Sequence, residues 1–339
     1  MTIFKVNSLP VLEVIKDLAK AFNTNYKMDV CEYSLKIPEM LGTGEIRAYH
    51  LENGLGIITY DCTFYNDLEI HFIVNDVHPL KFIYILKGNL DHTFENEKSI
   101  HSIEEYQSAM IASSNTNGHI LYFKANTSVA KYCVEIDRKA FNLDPAFQNK
   151  DVDLQLYTLF KDIKADEAFY YKGDYSLTIA DIFSDIKKND DLFDGDKLVY
   201  KFYMESIAYQ TLVMHLSQFL DDQRGNNKQK ILRKREFEQF KKVVDYITTN
   251  LENYCGIDEL TKVSGLNALK LQKGFKYLYN TTINQFVQEK RLEKAKDLLT
   301  TSDKSINEIV VLIGFKSASY FSRIFKEKYG VQPSLFKKN

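Results

Sequence analysis

Two stretches in the C-terminal third of the chain carry the same mix of amide, hydroxyl and basic side chains. Gln272, Lys273 and Lys276 stand in the first, and Ser319, Ser322, Arg323 and Lys326 in the second. Glutamine can bond the edge of adenine bidentately, and lysine or arginine can reach O6 and N7 of guanine. Lysines placed beside such readers usually meet phosphate. Ala268 and Leu269 fall on the same outer face as Gln272, with Leu269 suited to a thymine methyl; Lys316 and Lys326 are suited to the backbone, and Ser317 to capping the second stretch as well as facing outward. Arg323 is the best single candidate for a base contact, and the short Ser319 and Ser322 predict that the second stretch reads fewer bases. Each lysine also fits a purely solubilising role.

The elements that must position these side chains are repeated. Residues 257–265, Ile-Asp-Glu-Leu-Thr-Lys-Val-Ser-Gly, recur 49 positions later as Ile306-Asn-Glu-Ile-Val-Val-Leu-Ile-Gly314. At an offset of 50, Leu271-Gln-Lys273 matches Phe321-Ser-Arg323, Phe275-Lys276 matches Phe325-Lys326, and Tyr279-Asn280 matches Tyr329-Gly330. This pattern predicts helix, Gly-containing turn and basic helix, twice over. The basic helices are expected at about 267–279 and 317–328. Leu271 and Phe275 form the core stripe of the first, and Tyr320, Phe321, Ile324 and Phe325 that of the second. A joining helix at about 283–300 opens with a capping box, Thr282 with Gln285, and Ser305 with Glu308 makes another before the second unit. A helix at about 231–251 precedes them, with Phe237, Phe240, Val244 and Ile247 as its buried stripe. Asn280 and Gly330 stand where the chain must leave a helix in a left-handed conformation.

The second unit, Gly314 to Pro333, together with Arg291-Leu292-Glu-Lys-Ala295 in the joining helix, resembles the DNA-binding domain of the AraC/XylS family of bacterial transcription regulators over residues from about 235 to 337. The resemblance implies seven helices, two helix-turn-helix subdomains and a rigid linking helix, with each recognition helix entering the major groove on one face of the duplex. By position it assigns DNA contact to Ala268, Leu269, Gln272, Lys273, Lys276, Lys316, Ser317, Ser319, Ser322, Arg323 and Lys326. It also implies promoter DNA and RNA polymerase as partners. Two positions depart from the family pattern. Gly274 lies inside the first recognition helix, where glycine costs about 1 kcal/mol relative to alanine; it either permits close approach to the linking helix or marks a flexible reader. Asn280 stands where the family has Gly.

Charge divides the chain. From residue 228 onward there are 22 Lys+Arg and 12 Asp+Glu, a net of +10, against 22 and 34 before it, a net of −12. A basic region on an acidic one points to a polyanionic partner for the former. Cys31, Cys62, Cys133 and Cys255 are isolated, which suggests reduced thiols rather than a disulfide framework or a zinc knuckle. The seven histidines, at 50, 71, 78, 92, 101, 119 and 215, show no H-x-H or H-x-x-x-H spacing, so no metal and no cofactor are expected. No leader and no run of 18 apolar residues is evident. A cytoplasmic location and no membrane partner are therefore expected.

The remainder predicts an α+β multidomain chain: a β-rich domain at 1–225, cupin-like barrel or sandwich, which the resemblance implies is the effector-binding and dimerisation part, then a linker at 226–234 and the all-α domain at 235–339. The apolar spacing of Val11, Val14, Ile15, Leu18, Ala19 and Phe22 gives an opening helix. From about 41 to 136, short Ile/Val/Tyr/Phe runs such as Gly56–Tyr60, Leu68–Val74 and Phe82–Leu86 are punctuated by turns at Asn53-Gly54, Asn75-Asp76 and Asn117-Gly118. From 137 to 223 helices are expected at Asp151–Ile163, Ser176–Lys187 and Lys197–Leu220. The last, with Phe202, Tyr209, Leu212, Val213, Leu216 and Phe219, either pairs two subunits or packs on its own barrel. The aromatic-rich barrel either encloses a small-molecule effector or is ordinary core. These features add up to a sequence-specific, effector-responsive regulator, with activation the expected sense. One rival reading is a ligand-binding β-barrel whose helical tail is a protein-interaction module. A barrel enzyme with a regulatory tail is another, but no nucleophile motif or phosphate-cradling Gly loop supports it.

Overall fold

The computed structural model describes residues 2–6, 10–73, 79–141, 154–189, 196–223, 234–254, 256–279 and 281–336. The expected linker lies outside these save for residue 234, as do Asn75-Asp76, His78, Cys255 and Asn280. The chain forms two compact units, Met1–Asn227 and Lys228–Asn339.

The first unit is built on two sheets. The five-stranded sheet runs β1(Thr2–Val6), β6(Leu68–Phe72), β11(His119–Phe123), β8(Leu90–Phe94), β9(His101–Ile103). The eight-stranded sheet runs β13(Phe169–Tyr175), β10(Gln107–Ala112), β7(Leu80–Lys87), β12(Ser128–Ile136), β5(Leu55–Phe64), β4(Gly42–His50), β3(Glu32–Lys36), β2(Tyr26–Met28). Inward residues of both sheets, among them Ile58, Ile70, Ile83, Leu121 and Cys133, share one core with Val14, Ile15 and Leu18 of α1(Val11–Ala21). Asn53 and Gly54, both at positive φ, turn the chain into β5. Cys31, Cys62 and Cys133 are buried free thiols.

Three features differ from the sequence reading. Strands begin well before residue 41, at β1, β2 and β3. Phe169–Tyr175 was expected among helices but is an edge strand paired antiparallel with β10; its Phe-Tyr-Tyr composition fits a pleated surface better than a helix. The helices of the region are α2(Leu154–Lys161), α3(Leu177–Asn189) and α4(Lys197–Gln223). In α4 the buried face is Tyr200, Met204, Ile207, Ala208, Thr211, Leu212, His215 and Phe219, whereas Phe202, Tyr209 and Val213 are exposed. The expected stripe therefore splits: Leu212 and Phe219 turn inward, Leu216 is half-buried, and Phe202, Tyr209 and Val213 face out. His215 is compatible with the buried face because its ring nitrogens lie at hydrogen-bond distance from two carbonyls, Thr211 O at 2.9 Å and Ile83 O at 3.1 Å.

The second unit contains α5(Lys234–Thr249), α6(Ile257–Ser264), α7(Ala268–Tyr279), α8(Ile283–Thr301), α9(Ile306–Leu312), α10(Ala318–Tyr329) and α11(Pro333–Phe336). The buried stripe of α5 is Phe237, Phe240, Val243 and Ile247, so Val243 takes the place expected of Val244. Among the described residues, no helix is long and apolar enough to cross a membrane.

Candidate nucleic-acid interface

Each repeat folds as two helices about a glycine. α6 ends at Gly265 (φ 70°), whose N–H donates to Thr261 O, and α7 follows. Gly314 (φ 75°) makes the corresponding turn between α9 and α10. Only glycine suits Gly314 on spatial grounds as well, since a Cβ there would lie 2.5 Å from Leu251 O. The start of α7 is capped by Asn267, whose side chain accepts from Lys270 N at 2.8 Å.

α8 separates the two motifs and is fixed at both ends. At its start, Gln285 N donates to Thr282 Oγ1 at 3.3 Å while Gln285 Oε1 accepts from Thr282 N at 3.1 Å. Beyond its end, the Ser305–Glu308 box caps α9 in the same way. Midway, Arg291 donates from Nε (3.1 Å) and Nη2 (2.7 Å) to Leu251 O, and its guanidinium lies 5.6 Å from the centroid of Phe315. One side chain thus joins the loop after α5 to the turn of the second motif. On its inner face α8 contributes Leu292, Ala295 and Leu299 to a core shared with Ile309, Ile313, Phe321, Ile324 and Phe325.

These cores set which residues of α7 and α10 face outward. In α7, Leu271, Gly274, Phe275 and Leu278 are buried. Leu269, Gln272, Lys273 and Lys276 are exposed and Ala268 is half-buried. In α10, Phe321, Ile324 and Phe325 are buried, whereas Tyr320, expected in the core, is 43% exposed. Its ring instead lies under Arg323, whose guanidinium is 5.2 Å from the centroid, and Arg323 Nη1 donates to Glu327 Oε1 at 2.8 Å. Lys316, Ser317, Ser319, Arg323 and Lys326 are exposed and Ser322 is half-buried. Ser317 is occupied as the cap of α10, accepting from Tyr320 N at 3.3 Å.

Ser319 and Ser322 line a shallow depression with Ala318, Ser305, Ile306 and Asn307. Asn307 and Glu327 were not singled out from the sequence, and Tyr320 was expected in the core rather than on the outer face. The Arg323–Glu327 spacing of four was a usable signal, whereas the depression forms from two helices and is invisible along the chain. Gly274 has a packing reason: a Cβ there would lie 1.9 Å from Phe240 Cζ, so the close approach is to α5 and not to the linking helix α8.

Residues 260–339 match the family described as a helix-turn-helix domain, and residues 42–231 match the regulatory protein PchR N-terminal domain. The chain is 34% identical over 102 residues to the raffinose operon transcriptional regulatory protein RafR of Pediococcus pentosaceus, covering 30% of this chain and 37% of that protein. It is 32% identical over 99 residues to the probable transcription factor PqrA of Proteus vulgaris, covering 29% of this chain and 81% of that protein. A solved transcriptional regulator with an AraC-type DNA-binding domain, from Chromobacterium violaceum, aligns over 30% of this chain and 89% of its own at 25% identity with a TM-score of 0.29. The chain belongs to the AraC-type DNA-binding transcriptional regulators, with a PchR-type regulatory N-terminal domain.

Proposed function

We propose that the chain reads promoter DNA through α7 and α10 and activates transcription in response to a small-molecule effector held by the N-terminal unit. The observation that carries this is the pair of glycine-turned motifs, each presenting polar and basic side chains from the helix after its turn and sharing the capped spacer α8. At 1.5 Å per residue a 19-residue spacer is about 28 Å long. Successive major-groove segments on one face of DNA are about 34 Å apart. A spacer of this length plus helix widths suits two neighbouring segments. In this reading Gln272, Lys273 and Arg323 meet base edges, with Leu269 beside a thymine methyl. Lys276, Lys316 and Lys326 meet phosphate, and Ala268, Ser317, Ser319 and Ser322 complete the contact surface.

Two further partners belong to the proposal. A second copy of the chain pairs through the outer face of α4, where Leu198, Phe202, Tyr209 and Val213 are exposed at helical spacing. RNA polymerase is the partner through which bound regulator activates. The test is a gel shift of the full chain on DNA from upstream of its own gene, at several salt concentrations, with sedimentation of the same sample. A shift that weakens steeply with salt is expected. No shift at low salt favours the rival in which the helical unit is a protein-interaction module.

A further inference from the structure

The core between the two sheets of the N-terminal unit is not wholly apolar. Side chains alternate between the faces of a strand. The apolar core residues Ile83 and Ile85, Val129 and Cys133, Leu90 and Phe94, Leu121 and Phe123, and Ile103 therefore place Lys81, Lys131, Glu135, His92, His119 and His101 on the same inward faces. Lys81 and Glu135 form a buried ion pair at 2.5 Å. Lys131 is 2% exposed and has no acidic partner among the described residues; its ammonium lies 4.4 Å from the centroid of the Tyr60 ring. Four further groups in this interior lack hydrogen-bond partners among the described residues: the imidazoles of His92 and His119, at both ring nitrogens, and the hydroxyls of Tyr60 and Tyr170. The rings adjoin one another, with His92 at 5.5 Å from His119 and at 5.7 Å from Tyr170, centroid to centroid.

Such an interior is expensive unless its polar groups find partners. Native proteins leave few buried polar groups unpaired, and a buried charge is normally matched. Among the described residues two lysines, Lys81 and Lys131, share one carboxylate, and burial lowers the pKa of Lys131. The surroundings of these polar groups are aromatic and aliphatic, with Phe72, Phe94, Phe123, Ile83 and Ile85 in the same core.

We propose that this interior is the effector site and that its ligand is a small organic monocarboxylate with an apolar body, the carboxylate paired with Lys131 and further hydrogen bonds supplied by His92, His119 and the hydroxyls of Tyr60 and Tyr170. This rests on reading the N-terminal unit as a sensor and adds the chemical class it senses. Inorganic phosphate is a poorer match, because it is a mixture of monoanion and dianion at neutral pH and brings no apolar surface. Burial pushes both imidazoles toward the neutral form, and the nearby Lys81 and Lys131 charges add to this, which leaves one N–H donor and one acceptor on each ring.

The test is thermal unfolding of the full chain with acetate, benzoate or octanoate, with benzamide and octanamide as neutral counterparts and inorganic phosphate as a control. The proteins are the unmodified chain and Lys131→Met. At least one carboxylate is expected to raise the midpoint of the unmodified chain, with the amides and phosphate inert. Lys131→Met is expected to lose that response and to raise the ligand-free midpoint, since it replaces a buried amine with an apolar side chain. The idea is overturned if all three carboxylates are inert, if an amide or phosphate equals the acid, if the variant keeps the response, or if its ligand-free midpoint falls. Gel shifts on the same samples keep the two readings apart. Bound DNA with inert carboxylates sinks the ligand class alone, whereas absence of DNA binding sinks the regulator reading whatever the midpoints do.

Discussion

A methyl group at position 274 would have its carbon 1.9 Å from Cζ of Phe240. Glycine in α7 is thus the complement of a large aromatic on α5, and the helix-propensity cost of Gly274 is exchanged for seating the Phe240 ring against α7. Gly274→Ala is expected to destabilise the chain by about 1–3 kcal/mol, as overpacked sites do, although propensity alone predicts a gain of about 1 kcal/mol. Phe240→Leu in the same chain should recover part of the loss. Urea unfolding of the three variants checks this, and a stabilised Gly274→Ala refutes the packing account.

The sequence pattern made the helical unit legible because its repeat couples apolar spacing to turn chemistry. Both capping boxes, the Gly265 and Gly314 turns and the inward Leu271, Phe275, Phe321 and Phe325 follow from local rules. What escaped was decided by neighbours distant in the chain. Tyr320 looks like core by spacing, but Phe321 and Phe325 fill the contact with α8 and Tyr320 lies under Arg323 instead. In α4, hydrophobicity favoured Phe202 and Val213 over His215, whereas the carbonyls of Thr211 and Ile83 make His215 an acceptable buried residue. The polar interior at Lys131 was equally hidden, since its members come from seven strands and only strand register brings them to one face.

Arg323 is held before any DNA arrives, by Glu327 at 2.8 Å and by the Tyr320 ring. Arg323→Ala is expected to weaken the cognate site by about 1–3 kcal/mol and to relax one base position. Glu327→Gln frees the guanidinium and should strengthen cognate binding, because this exposed ion pair must be exchanged for the base contact. Competition gel shifts on cognate and random DNA measure both. Equal losses on the two DNAs for Arg323→Ala would exclude a base-reading role.

Lys276 lies outward on α7, at its last turn. As a phosphate contact it adds affinity without sequence preference. Lys276→Ala should therefore weaken cognate and random DNA alike and lower the slope of log K against log salt by about 1. A loss confined to the cognate site points to base contact instead.

His92 is fully buried, and burial, aided by His101, Lys81 and Lys131, lowers its pKa to about 3. In the unfolded chain an imidazole titrates near 6.5. Below that pH the unfolded state takes up a proton that the folded state refuses. Stability therefore falls as pH drops from about 6.5 toward 3, by up to about 1.4 kcal/mol per pH unit for this group, and no further below it. Urea midpoints of the full chain at pH 7, 6 and 5 should decline, and His92→Leu should decline less. An unchanged slope in His92→Leu means that other groups, His119 foremost, carry the acid sensitivity.

Arg291 ties three elements together: its own α8, the Leu251 carbonyl after α5, and Phe315 in the second turn. A lysine there keeps the charge but cannot direct two N–H groups at one oxygen while stacking on a ring. Arg291→Lys is expected to cost about 1–3 kcal/mol of stability, with Leu251 O losing its donors. It should also loosen the link between the two motifs, so that binding to a site with both groove segments falls more than binding to either segment alone. If the variant loses affinity equally for whole and half sites, Arg291 stabilises the fold without setting the spacing of the two readers.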